Sequence, residues 1–249
     1  MRDHPSRAAQ TRPPQGDDRK LFLPFDLIIF DCDGVLVDSE VISCRVHAEV
    51  LTRHGYPITA EQVFARFLGR SALAASREVE AELGRPLPDD FDAQLKAALF
   101  DEFTVALQAV PHVAEALAAI ATPVCVASSG TPDKIRTSLT HTGLLPHLAP
   151  HIFSAAQVAH GKPAPDLFLF AAAQMSAEPS RCLVIEDSVP GITAARAAGM
   201  TAFGFSGGSH CRAGHAETLI AAGAKASFDD MRQLPEMIRK FAPAPLPAR

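Results

Sequence analysis

Short apolar runs alternate with amphipathic stretches along most of the chain. The clearest runs are FDLIIFD, PVCVASS and RCLVIED, at residues 25–31, 123–129 and 181–187. Weaker runs of the same kind lie at residues 151–155, 201–205 and 226–228. The stretches between them space their apolar residues as a helix does, and two of them stop at Gly143 and Gly199, which suit helix C-termini. Apolar strands alternating with helices predict an α/β fold with a parallel sheet covered on both faces.

One long segment interrupts this alternation. Residues 39–106 hold no good strand and instead carry helical patterns, one of which is preceded by a Thr59-x-x-Gln62 capping box. The segment falls between the first and second predicted strands. We therefore expect a Rossmann-like core, formed by residues 23–38 and 107–241, into which a helical cap domain is inserted.

Composition narrows the class of protein. The 249 residues are 47% apolar and 20% charged, as in soluble globular proteins, and the net charge of −5 does not suggest a surface for nucleic acid. No apolar run reaches the roughly 18 residues that a membrane span needs. The cysteines are scattered without CxxC spacing, which favours reduced thiols and a cytoplasmic location.

Both ends of the chain are polar or rich in proline. Residues 1–22 lack the apolar stretch of a secretory signal, and we expect them to form a disordered tail. A transit peptide is the alternative, although Asp3, Asp17 and Asp18 speak against it. The closing residues 242–249 are expected to form a flexible tail.

Polar side chains end several of the predicted strands. Asp31 ends the first strand, Ser128 ends the second, and Glu186 and Asp187 end a later one. Lys162 lies in a GKPAPD loop just before a predicted helix. Each residue alone has a simpler explanation, such as a turn, a helix N-cap or a solvated lysine. Together they predict a shared site, because open parallel sheets bind ligands at the carboxyl ends of their strands.

This set of residues suits phosphoryl transfer. Converging carboxylates repel one another unless a cation lies between them, and Mg²⁺ prefers hard oxygen ligands of this kind. With Mg²⁺ neutralising Asp31 and Asp187, an aspartate carboxylate can attack phosphorus and form an aspartyl phosphate. A second acid, Asp33, would protonate the leaving oxygen and later deprotonate the attacking water.

A transferred phosphoryl group also needs donors around its oxygens. The candidates are Lys162, the Ser128 hydroxyl and the backbone N–H groups of residues 32–34, Ser129 and Gly130. Gly34 follows Asp33 directly. A glycine there keeps side-chain bulk away and lets the backbone turn toward the phosphate.

The same segments resemble, in order, the four motifs of the haloacid dehalogenase-like superfamily. IIFDCDGVLVDSE, VCVASSG, GKPAPDLF and LVIEDSVPGITAARAAG match motifs I to IV, and the likeness extends over about residues 25–240. The catalytic residues that it implies are Asp31 as nucleophile, Asp33 as acid and base, Ser128 and Lys162. The ligands that it implies for Mg²⁺ are Asp31, Asp33 through its backbone carbonyl, Asp187 and Glu186.

Within this superfamily the chain looks similar to the β-phosphoglucomutase-like branch, whose cap the helical insert matches. True dehalogenases lack the second aspartate, and the mutases carry a histidine where this chain has Ser43. Motif I is closer to that of sugar-phosphate phosphatases, including 6-phosphogluconate phosphatases. We expect a Mg²⁺-dependent phosphatase of a small phosphorylated sugar or sugar acid. The alternatives are a phosphomutase, a phosphoglycolate phosphatase and a catalytically silent binding protein.

The resemblance also implies which cap residues contact the leaving group. RFLGRSA aligns with the family's substrate-specificity loop, in which Gly69 and Arg70 are the first candidates. Arg66 and Arg77 could help, but a solvated helical face explains them more simply.

One further segment stands apart from the motifs. SGGSHCRAGH, residues 206–215, is interpreted as a mobile loop near the site rather than as a metal site, because it offers too few convincing ligands. The expected partner is a small phosphorylated substrate rather than nucleic acid or a membrane. We expect a monomer or a weak homodimer.

Overall fold

The computed structural model describes residues 25–67 and 72–241, and its centre is a six-stranded sheet. The strands are β1 (Leu27–Phe30), β2 (Val124–Ser128), β3 (Ile152–Ser154), β4 (Cys182–Glu186), β5 (Thr201–Phe205) and β6 (Ala226–Phe228). They are all parallel and lie in the order β3-β2-β1-β4-β5-β6. The predicted α/β fold with a parallel sheet is confirmed, and each apolar run identified above forms a strand.

Helices occupy most of the remaining described chain. Before β2 these are α1 (Glu40–Arg53), α2 (Ala60–Phe67), α3 (Ala72–Leu83), α4 (Phe91–Ala106) and α5 (Val113–Ala119). After β2 they are α6 (Pro132–His141), α7 (Leu145–Leu148), α8 (Asp166–Gln174), α9 (Val189–Ala197), α10 (His215–Ala222) and α11 (Leu234–Lys240). Each of these helices is too short or too polar to span a bilayer.

Both faces of the sheet are buried because alternate side chains of a strand point to opposite sides. In β1, Ile28 and Phe30 belong to one apolar cluster, which includes residues of α5, α6 and α11. Leu27 and Ile29 belong to a second cluster, which includes residues of α8, α9 and α10. β1 is therefore a fully buried central strand, and the residue that follows it is held at the carboxyl edge of the sheet.

The predicted helical insert consists of α1 to α4, between β1 and β2. These helices bury an apolar cluster of their own, which includes Val50, Leu51, Val63 and Phe91. At the end of α4, Phe103 instead joins the cluster under the sheet, so the insert packs against the core. The capping box before α2 is present: the backbone N–H of Thr59 donates to Gln62 Oε1 at 2.8 Å, and that of Gln62 donates to Thr59 Oγ1 at 3.2 Å.

Some expectations stay predictions. The predicted tails, residues 1–22 and 242–249, lie outside the described residues. The division into a core at 23–38 and 107–241 and a cap at 39–106 stays a prediction.

Truncating a buried side chain of the central strand β1 should destabilise the fold strongly. Ile28→Ala removes a side chain that is fully buried, and we expect the free energy of unfolding to fall by about 2–5 kcal/mol. The control is Val105→Ala on α4, where the side chain is 80% exposed and the change should stay within about 0.5 kcal/mol. Urea unfolding monitored by circular dichroism measures both. Equal stability of the two variants would contradict the packing described here.

Candidate active site

The carboxyl edge of the sheet opens into a cavity of about 680 Å³. The predicted site residues that line it are Asp31, Asp33, Ser128, Ser129, Lys162, Glu186 and Asp187. The structure therefore brings the ends of β1, β2 and β4 together with the lysine loop, as the strand-end argument predicted. Glu40 and Phe64 of the helical insert and His210 and His215 of the 206–215 segment form other parts of the wall.

Lys162 lies between two buried carboxylates. Its Nζ donates to Asp31 Oδ1 at 2.5 Å and to Glu186 Oε1 at 2.8 Å, and only 4% of its side chain is exposed. The other carboxylate oxygen of Glu186 accepts the backbone N–H of Ser188 at 2.9 Å. Burial opposes ionisation of Glu186, but the attraction of Lys162 outweighs it and lowers the pKa of this carboxyl. Lys162 and Glu186 thus form an ion pair beneath Asp31.

Two of the other carboxylates, Asp31 and Asp187, keep a repulsion that Lys162 does not fully offset. Burial raises the pKa of Asp31 to about 7, with the charge of Glu186 adding to the effect and Lys162 opposing it. Burial and the negative charges of Glu186 and Asp31 also hold the pKa of Asp187 well above its usual range. Oxygen atoms of Asp31, Glu186 and Asp187 lie within 4.8 Å of one another. This arrangement fits a hard divalent cation such as Mg²⁺, which would relieve the repulsion.

Asp33 is held by two residues that sequence reasoning missed. Ser39 Oγ donates to Asp33 Oδ1 at 2.6 Å, and Lys134 Nζ lies 2.9 Å from both carboxylate oxygens. Burial would raise the pKa of Asp33, but these partners outweigh it and keep the pKa below its ordinary value. Lys134 also lies 5.8 Å from the ring centroid of Phe103. Asp33 is therefore ionised before any substrate enters.

The loop after β2 leads directly into the N-terminus of α6. The backbone N–H of Gly130 donates to Ser128 Oγ at 3.1 Å, and Ser154 Oγ, at the end of β3, donates to the carbonyl of Gly130 at 2.6 Å. Thr131 then caps α6, accepting the backbone N–H of Lys134 at 3.4 Å. A helix N-terminus in this position favours negative charge nearby.

Gly34 has the close approach that the sequence suggested, although its neighbour is Asp187. Its φ of +80° is a left-handed conformation, and a Cβ atom built there would lie 2.0 Å from Asp187 Oδ2. Only glycine lets the turn after β1 pass this close to the carboxylate.

The structure tests only some of the residues predicted to contact the leaving group. Gly69 and Arg70 lie outside the described residues, so their role stays a prediction. Arg66 donates to the Tyr56 hydroxyl at 2.7 Å and to Glu78 at 2.8 Å, within the helical insert. This pairing agrees with the simpler structural role, and Arg77 is exposed on α3.

The 206–215 segment contributes more than the sequence suggested. The backbone N–H and the hydroxyl of Ser209 both bond Asp38 Oδ1, at 3.1 and 2.8 Å, which fixes the segment beside the turn after β1. His210 is 3% exposed and lies against Asp187. No local signal in the sequence indicates this, because the contact depends on how the loop folds back over the strand ends.

Known proteins resemble the chain in sequence and structure. Residues 25–199 match the family of haloacid dehalogenase-like hydrolases. The 6-phosphogluconate phosphatase of Escherichia coli (strain K12) is 30% identical over 213 residues, covering 85% of this chain and 94% of that protein. A haloacid dehalogenase-like protein from Agrobacterium tumefaciens str. C58 is 42% identical in sequence, with a TM-score of 0.78 over 88% of this chain and all of that one.

A third similar protein was solved with ligands. This haloacid dehalogenase family hydrolase from Deinococcus radiodurans R1, with bound phosphate and sodium, is 31% identical, with a TM-score of 0.73 over 88% of this chain and 97% of that one. The fold and site thus define a hydrolase. The chain belongs to the haloacid dehalogenase-like hydrolase family, as its motifs predicted. The phosphatases among its relatives support the predicted class of phosphoric monoester hydrolase.

Gly34→Ala should damage the site far more than a matched glycine replacement. Gly34 and Gly84 both have positive φ, and alanine there costs about 1–2 kcal/mol of stability in either case. Only at Gly34 does the added Cβ collide with Asp187, whereas nothing lies within 4 Å at Gly84. We expect hydrolase activity to be lost in Gly34→Ala and retained in Gly84→Ala, measured beside urea unfolding. Equal activity in the two variants would be evidence against the close approach to Asp187.

Proposed function

We propose that this protein is a Mg²⁺-dependent phosphatase that hydrolyses a small phosphorylated sugar or sugar acid through a phosphoryl group carried on Asp31. The observation that carries the proposal is the buried carboxylate of Asp31 at the floor of the cavity, paired with Lys162 beside Glu186 and Asp187. A carboxylate held in this way is both a nucleophile and a cation ligand. The five free cysteines of the protein support a cytoplasmic location.

In the first half of the reaction, a carboxylate oxygen of Asp31 attacks phosphorus, and the bond from phosphorus to the sugar oxygen breaks. Lys162, the Ser128 hydroxyl and the N-terminus of α6 hold the phosphoryl oxygens as negative charge shifts among them. In the second half, water attacks the same phosphorus, the bond to Asp31 breaks, and inorganic phosphate leaves. Asp31 then regains its carboxylate.

Asp33 moves the proton in both halves. Asp33 takes up a proton from solvent as the phosphate enters and gives it to the departing sugar oxygen. It then takes a proton from the attacking water and releases it to solvent as inorganic phosphate leaves, so the cycle ends with Asp33 ionised, as it began. Lys134 and Ser39 keep it ionised in the empty site. The negative charge of an entering phosphate raises the proton affinity of Asp33, which supplies the acid form when it is needed.

Asp31, Asp187 and the backbone carbonyl of Asp33 would hold Mg²⁺, which supplies positive charge to the phosphoryl oxygens when bound. Glu186 belongs to the same carboxylate cluster, but both of its oxygens already accept hydrogen bonds. We therefore assign Glu186 chiefly to holding Lys162.

The substrate class rests on the relatives and the cavity. A relative that covers most of the chain is a 6-phosphogluconate phosphatase, and a solved relative holds phosphate. The cavity of about 680 Å³ is large enough for a phosphorylated sugar acid. Ser43 stands where the mutases carry a histidine, so the phosphomutase alternative lacks a group that could transfer a proton there.

Replacing the nucleophile should abolish activity. Asp31→Asn keeps the shape of the side chain but removes its nucleophilic charge, and we expect kcat to fall at least about a thousandfold. Asp92→Asn is the control, because that side chain is exposed in the first turn of α4. Phosphate release is measured with Mg²⁺ over sugar phosphates, 6-phosphogluconate and phosphoglycolate. Full Mg²⁺-dependent activity of Asp31→Asn would sink the proposal, and bisphosphate-dependent rearrangement of a sugar 1-phosphate would favour a mutase.

Proton competition should make Mg²⁺ binding depend on pH. Because burial raises the pKa of Asp31 to about 7, a proton occupies this ligand below that pH. Mg²⁺ must displace that proton, so this competition should lower its affinity by up to about tenfold for each pH unit below the pKa. Calorimetric titration of Mg²⁺ at pH 6, 7 and 8 measures the effect. An equal affinity for Mg²⁺ at all three pH values would contradict this competition.

A further inference from the structure

We propose that His210 and His215 are positioning residues that orient Asp187 for the divalent cation. The inference rests on the proposed function, because it assigns Asp187 as a ligand of Mg²⁺. It adds two side chains that lie outside the four motifs. Partners that orient the ligands of a metal are in general nearly as important for binding as the ligands themselves.

His210 contacts the carboxylate of Asp187 directly. Its Nε2 lies 2.9 Å from Asp187 Oδ2, and the two side chains are 4% and 6% exposed. Both polar contacts of the ring run through Nε2, since Cys211 Sγ lies 3.5 Å from the same atom. Nδ1 is buried and has no hydrogen-bond partner among the described residues. The closest polar contact of the His210 ring is therefore the one with the carboxylate of Asp187.

His215 holds the backbone of the same residue. Its Nε2–H donates to the carbonyl oxygen of Asp187 at 2.7 Å. The two imidazole rings lie close to each other, with their centroids 5.8 Å apart and their planes nearly perpendicular. One histidine thus contacts the side chain of Asp187 and the other fixes its main chain, which together limit where the carboxylate can point.

Two glycines make room for this arrangement. A Cβ atom at Gly34 would lie 2.0 Å from Asp187 Oδ2 and 2.9 Å from His210 Cε1. A Cβ atom at Gly208 would lie 2.7 Å from the same carbon of His210. The turn after β1 and the loop after β5 therefore close around the pair from two sides. Ser209 anchors that loop through Asp38, so the histidine approaches from a fixed direction.

The histidines and Cys211 could instead form a soft-metal site, because their ligand atoms lie within 4.8 Å of one another. The Nε2 atoms of both histidines, however, already contact Asp187. A metal bound there would have to replace those contacts. The geometry therefore favours support of Asp187, and the soft-metal site is an outcome that the experiment must separate.

The test measures Mg²⁺ binding without substrate. Calorimetry on the full chain should show that His210→Ala and His215→Ala weaken Mg²⁺ binding by about 10- to 100-fold. His210→Gln, which retains an N–H donor, should recover part of the loss. His147→Ala, at an exposed histidine on α7, should bind as the unaltered protein does. In turnover assays, the apparent KM for Mg²⁺ should rise in His210→Ala, while kcat at saturating Mg²⁺ changes little.

The outcomes separate this inference from the function on which it rests. Unaltered Mg²⁺ affinity in His210→Ala, with affinity lost in Asp187→Asn, would overturn the positioning role and leave the metal site intact. Unaltered affinity in Asp187→Asn would overturn the metal site itself. Loss of Zn²⁺ but not Mg²⁺ binding in His210→Ala would favour the soft-metal site instead.

A measurement on the unaltered protein covers the case in which a variant does not fold. The ¹⁵N resonance of His210 Nε2 should shift when Mg²⁺ saturates the site, and that of His147 should not. An unmoved His210 resonance at saturating Mg²⁺ would overturn the proposal.

Discussion

The constraint on which the rest of the site depends is the burial of several carboxylates at one edge of the sheet. A buried ion without a partner costs several kcal/mol, so Asp31 and Glu186 need an opposite charge within contact distance. Lys162 supplies it, and the fold must therefore bring the loop after β3 to the ends of β1 and β4. Gly191 in α9 makes room for the Glu186 side chain, because a Cβ atom there would lie 1.8 Å from Glu186 Oε1.

The second charge pair links the core to the helical insert. Asp33 is bonded by Ser39, directly before α1, and by Lys134, on α6 of the core. Lys134 also contacts the ring of Phe103. Phe103 lies on α4 of the insert and packs in the apolar cluster of the core. A displacement of the insert would therefore change the surroundings of Asp33 more than those of Asp31, whose hydrogen-bond partners among the described residues are Lys162 and Ile185.

Residues at the strand ends and the lysine of the third motif could be predicted from the sequence, whereas the contacts that Lys134 and His210 make with distant segments could not. Apolar runs locate the strands, and polar residues at their ends locate Asp31, Ser128 and Asp187, because parallel strands share an edge. Lys134 was missed because its reach to Asp33 depends on the angle at which α6 leaves the loop after β2. His210 was missed for a similar reason: a glycine-rich loop carries no periodicity that shows where it folds back.

In the proposed reaction, Asp31 carries the phosphoryl group. An aspartyl phosphate is reduced by borohydride to homoserine, so quenching the enzyme with borohydride during turnover and mapping its peptides locates the modified residue directly. We expect homoserine at position 31 only when Mg²⁺ and a phosphorylated sugar or sugar acid are both present. Phosphate release with an unmodified Asp31, or with homoserine at another position, would contradict it.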